Sequence, residues 1–93
     1  MIHRLKILPE YFEAVKQKVK RAEFRKNDRD FKVGDLLLLE EYDKTNNQYT
    51  GRFILVRITH VTDLADWAAG YVMLSIDNLS SGKALRVTKS NER

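Results

Sequence analysis

The sequence predicts a small α+β domain, mostly β: a mixed barrel of short strands with one main helix near the N-terminus. Three observations carry this expectation. A chain of 93 residues makes one domain, which at this size buries about two-thirds of the surface its unfolded chain exposes. Apolar side chains recur with period two over most of its length, and a single stretch near residues 9–18 follows the helical period instead. Apolar residues at 43% and charged residues at 32% match a packed globule rather than a disordered segment.

Taken in order, residues 2–8 (Ile-His-Arg-Leu-Lys-Ile-Leu) alternate loosely, as a half-buried strand does, and Pro9 ends them. Proline suits the first position of a helix. Glu10 and Glu13 suit its positive end, and Lys16 and Lys18 its negative end. Phe12, Val15 and Val19 form one apolar stripe, so a helix is expected over 9–18. From Lys20 to Lys26 the period returns to two. Ala22 and Phe24 share one side, expected to face the interior, while Arg21, Glu23 and Arg25 share the other.

Lys26 to Lys32 reads as a charged loop, and Gly34-Asp35 as a turn opening a buried strand, Leu36 to Glu41. Asp43 to Asn47 carries turn chemistry, which implies a hairpin. Arg52 to Thr62 is rich in β-branched and aromatic residues and reads as a long strand. Asp63 to Gly70 suggests one helical turn, and Tyr71 to Asp77 a further strand. Ser80-Ser81-Gly82 reads as a linker, and Lys83 to Lys89 as either an edge strand or a flexible basic arm. The expected organisation is therefore one domain over 1–77 and a basic extension over 78–93.

Several chemistries are excluded or disfavoured. The chain has no cysteine, which removes disulfides, thiolate nucleophiles and cysteine-based zinc sites. His3 and His60 show no short ligand spacing, so no metal and no cofactor are expected. The longest apolar run, Leu36 to Leu39, is far shorter than the roughly 20 residues of a membrane helix. No secretory pattern opens the chain, so a cytoplasmic location is expected.

Charge is unevenly placed. The net charge is +4, but residues 16–32 alone carry +5, the segment from Asn78 carries +3, and the rest carries −4. A clustered field of this kind attracts polyanions. The aromatic residues Tyr11, Tyr42, Tyr49, Trp67 and Tyr71 offer stacking surfaces for unpaired bases in principle. In a small barrel such rings are expected in the core.

The segment from Lys18 to Asp35, which contains EFRKNDRDFKVGD, resembles the ASCH signature G-x-K-x-x-E-x-R followed by a loop and G-D. It looks closest to the short, uncharacterised bacterial and phage branch of that family, and the resemblance extends over residues 1–77. It implies a PUA-like β-barrel with a cleft between barrel and helix suspected of binding RNA. Residue by residue, the family lysine falls on Lys20, the glutamate on Glu23, the arginine on Arg25 and the G-D pair on Gly34-Asp35. Lys18 stands where the motif has glycine.

Three functions are expected in competition. The first is an RNA- or nucleotide-binding module using Lys20, Arg21, Glu23, Arg25, Lys26, Asn27, Arg29 and Lys32. There the basic side chains would pair with phosphates, and Glu23 would either accept from a base amino group or hold Arg25 in place. The second, suggested by ASCH members that hydrolyse acetylated cytidine, is a small amidohydrolase using Lys20 and Glu23, although Glu23 replaces the threonine of those enzymes. The third is a phage-type accessory protein whose basic face meets an acidic protein partner.

Overall fold

The computed structural model describes residues 1–84. Its elements are β1 (Ile2–Ile7), α1 (Pro9–Lys16), β2 (Ala22–Lys26), β3 (Leu36–Asp43), β4 (Gln48–Asp63) and β5 (Tyr71–Lys83). The five strands form one sheet in the order β1-β3-β4-β5-β2. β1 runs parallel to β3, and the other pairings are antiparallel. The domain is thus mostly β with one helix, as expected. Among the described residues no helix is long and apolar enough to cross a membrane.

Although β1 and β2 are neighbours in sequence, they lie at opposite ends of the strand order. The sheet curls until these two ends approach, and the seam is closed by side chains. Arg25 Nη2 donates to the Lys6 carbonyl at 2.7 Å, and Arg29 Nη1 donates to the Arg4 carbonyl at 2.8 Å. Period-two burial explains the interior. Leu5, Ile7, Leu37, Leu39, Ile54, Val56, Ile58, Val72, Leu74 and Ile76 face inward, and α1 covers them with Phe12 and Val15.

The helix is shorter than the stripe suggests. Its last turn ends at Lys16, leaving Val19 exposed. Lys18 adopts φ +62°, and the bonds Lys18 N–H to Val15 O and Val19 N–H to Ala14 O, both 2.9 Å, make the paired helix stop normally completed by glycine. Lys18, at the position where the resembled motif has glycine, therefore occupies a left-handed turn. Lys18→Gly is expected to stabilise the fold by about 0.5–1 kcal/mol, because relief of the left-handed strain outweighs the entropy that glycine brings. Thermal unfolding should then show a Tm raised by a few degrees.

Three expectations are corrected. Phe24 faces outward, not inward: pairing of Glu23 with Leu74 and Arg25 with Val72 puts the charged residues on the inner side. There the sheet borders a cleft rather than packed core, and Lys20 and Arg25 satisfy the carboxylate, whereas Phe24 stacks on Tyr71 at 4.9 Å. The cost of about 3–5 kcal/mol for truncating a core phenylalanine does not apply to this half-exposed ring.

Nor do the four tyrosines and the tryptophan fill the core. Tyr11, Tyr49 and Trp67 are exposed, and Tyr42 and Tyr71 are half-buried, because aliphatic residues occupy the inward positions and phenol and indole groups keep contact with water. Finally, Ser80-Ser81-Gly82 is not a linker but part of β5, paired with Phe53 to Leu55 of β4. The strand crosses the expected boundary at 77/78. Of the segment Lys83 to Lys89, expected as an edge strand or a flexible arm, Lys83 ends β5, and residues 85–89 lie outside the described residues.

Candidate functional site

The seam opens into a cleft of about 330 Å³ lined by Lys6, Ile7, Leu8, Tyr11, Lys20, Glu23, Phe24 and Arg25. Each element contributes for a local reason. β1 ends at Ile7 and Pro9 opens α1, so Ile7 and Leu8 form one wall as the chain turns into the helix, whose first turn presents Tyr11. The helix stop at Lys18 then reverses the chain and delivers Lys20 beside β2. The two-residue repeat of β2 aims Glu23 and Arg25 into the cleft.

Glu23 lies at the centre of the polar floor and is buried, 5% exposed. Lys20 Nζ donates to its Oε1 at 2.8 Å, and Arg25 Nε donates to its Oε2 at 2.9 Å. Lys20 also donates to the Ala22 carbonyl, and Arg25 reaches across the seam to Lys6. Lys20-x-x-Glu23-x-Arg25 is therefore a fixed carboxylate between two cations. Tyr11, about half exposed (49%), supplies aromatic surface to the same cleft, and Phe24, whose ring stacks on Tyr71 on the outer side of β2, borders it.

Of the eight residues expected at the site, Lys20, Glu23 and Arg25 come together and the other five do not line the cleft. Arg21 Nε donates to the Lys18 carbonyl. Lys26 is exposed on the outer side of β2, and Asn27 accepts from the Phe31 backbone N–H. Arg29 closes the seam, and Lys32 pairs with Asp30 at 3.1 Å. The G-D pair is structural: Gly34 takes φ +96°, and Asp35 accepts from His3 Nε2 at 2.8 Å and from the Lys32 backbone. The His3 contact holds the Asp35 carboxyl below its usual value.

A second charged group has no counterpart in the sequence reading. Glu41, 4% exposed, receives both Arg52 Nε and Nη2 at 2.9 Å and the Thr50 hydroxyl at 2.6 Å. Arg52 Nη2 also donates to Glu13 of α1 at 2.6 Å, and the guanidinium carbon Cζ lies 4.4 Å from the centroid of the Phe12 ring. The β3–β4 register breaks between Glu40 and Tyr42, and that bulge aims Thr50 and Arg52 at the one carboxylate. Arg52 in turn depresses the Glu41 pKa. Leu37, Leu39 and Glu41 share a strand face, and a carboxylate at such an inward position calls for a buried cation; that was the available signal. Among the described residues no group of His, Cys, Asp and Glu side chains could hold a metal ion.

Residues 2–76 match a family described as a domain of unknown function, DUF3850. A protein of Escherichia phage P2, described as an uncharacterized 12.9 kDa protein in the GpA 3′ region, is 48% identical over 73 residues. The match covers 78% of this chain and 65% of the relative, so the chain spans just under two thirds of that protein's length.

Proposed function

Because the chain belongs to the DUF3850 domain family, whose description assigns no activity, we propose from the cleft itself that it is a binding module for RNA or a nucleotide-like ligand. The observation that carries this reading is the buried Glu23, fixed by Lys20 and Arg25 at the floor of a cleft with Tyr11 and Phe24 at its sides. A fixed carboxylate accepts from an exocyclic amino group such as that of cytosine. Aromatic rings stack on a base whatever its sequence, and the neighbouring cations neutralise phosphate. A volume of about 330 Å³ lies at the small end of ligand pockets, the scale of one nucleotide. The ASCH resemblance of the same K-x-x-E-x-R segment supports the reading, since it implies a cleft between barrel and helix.

Lys20 Nζ donates to the Ala22 main-chain carbonyl and to Glu23 and so holds that carboxylate in place, which favours binding over nucleophilic hydrolysis. The test is a fluorescence titration of single-stranded RNA against salt. Three phosphate contacts predict an affinity loss of about twentyfold between roughly 50 and 200 mM salt. Absence of binding at the lowest salt would overturn the reading, and release of cytidine from an N4-acylated cytidine would replace it with the hydrolase.

A further inference from the structure

On the other side of the α1–β2 turn, two hollows of about 190 and 240 Å³ share Lys16 and Ser81 and so form one groove. Its walls are the end of α1 and the C-terminal part of β5, with Lys18, Asn78, Ser80 and Lys83. Its β5 wall, Asn78 to Lys83, lies beyond residues 2–76, the span matched to the family. We propose that the groove is a track for the phosphodiester backbone of a single RNA strand whose terminal base occupies the cleft, an inference that rests on the nucleotide-binding reading of that cleft.

The charges favour such an occupant. Lys16, Lys18 and Lys83 are exposed and make no ion pair among the described residues. Arg52, which also borders the groove, is already matched by Glu13 and Glu41, so the three lysines are the uncompensated cations there. Hydrogen-bonding capacity agrees. β2 pairs with β5 only from Tyr71 to Ser75, and beyond the bond from Ile76 N–H to Arg21 O no described strand pairs with that edge of β5. Backbone N–H groups and the exposed Ser80 and Ser81 hydroxyls are the partners phosphate oxygens use.

The groove is also held in place. Asn78 Nδ2 donates to the Val15 carbonyl at 2.9 Å, fixing β5 to the helix end. The same turn that presents Lys18 to the groove presents Lys20 to the cleft two residues later. A strand leaving the cleft thus meets the groove after rounding one turn of backbone. A negatively charged polymer fits this continuity better than a compact ligand.

The experiment compares the full chain with the triple variant Lys16→Gln, Lys18→Gly, Lys83→Gln, glycine being chosen because residue 18 has a positive φ. Each binds cytidine 5′-monophosphate, followed by NMR, and a single-stranded RNA of about 12 nucleotides, followed by anisotropy over a salt series. The triple variant should bind the long RNA about tenfold more weakly at low salt, with a salt slope reduced by about 2, and the mononucleotide as the parent does. An unchanged slope and affinity for the long RNA would overturn the groove while leaving the cleft reading intact. Loss on the long RNA by a protein that never binds the mononucleotide would keep the groove and sink the cleft. Competition by polyglutamate as effective as by RNA of equal charge would overturn the phosphodiester assignment in favour of an acidic protein partner.

Discussion

Arg52→Ala is expected to lower the unfolding free energy by about 2–4 kcal/mol. Removing one member of a buried ion pair costs about 3–5 kcal/mol because the partner charge stays behind. Here the estimate is discounted, since 31% of the Arg52 side chain reaches solvent and water can reach part of the vacated space. The variant leaves Glu41 with only the Thr50 hydroxyl, frees Glu13, and strips a guanidinium from the Phe12 ring. For a domain of this size the corresponding fall in Tm is on the order of 10–20 °C.

Acid sensitivity provides an independent check on the same bond. Arg52 holds the folded-state pKa of Glu41 below its ordinary value. The stability this contributes is present above the unfolded-state value, about 4.3, and is lost as pH falls through the folded one. Urea midpoints measured near neutrality and near pH 3 should therefore differ less in Arg52→Ala than in the parent. Equal acid sensitivity would mean that Glu41 draws its stability from elsewhere.

Arg25→Ala is expected to weaken nucleotide or RNA binding by about 10–100-fold, the loss of about one or two charge-assisted hydrogen bonds. Arg25 both presents its charge to the cleft and aims Glu23 through the 2.9 Å contact. Lys26→Ala, on the opposite side of the pleat, should change affinity by no more than about twofold. Arg25→Lys retains the charge but cannot serve Glu23 and the Lys6 carbonyl with one planar group, so it should resemble alanine more than arginine. Isothermal titration of the three variants decides, and equal small losses at positions 25 and 26 would indicate a diffuse electrostatic surface.

Regular periodicity made much of this architecture legible. The strands around Leu37, Ile54 and Leu74 and the helix around Phe12 announce themselves because each must bury one face. Alternation states which residues share a face, however, and not which face looks inward. In β2 the larger apolar ring suggested Phe24, yet an edge strand beside a cleft can satisfy Glu23 and Arg25 on its inner side. Lys20, Glu23 and Arg25 were readable as a constellation because a tight turn and one strand hold them within six residues. Tyr11 and Lys6 were not, because only the curl of the sheet carries β1 and α1 to β2. Basic composition likewise could not tell the arginine that lines the cleft from one that only closes the seam, and Arg29 proved to belong to the second kind.

Arg29 and Arg25 also bear on how the molecule behaves in company. The terminal strands of an open sheet offer unpaired backbone groups to which a strand of another molecule can add, the first step of edge-to-edge aggregation. In this protein the two terminal strands face one another, and the carbonyls of Arg4 and Lys6 that an incoming strand would engage are already occupied by guanidinium groups. Along this seam the sheet thus guards its margins with bulky, charged side chains instead of completing the ladder, and it stays open enough there to keep a cleft while denying a template to its neighbours.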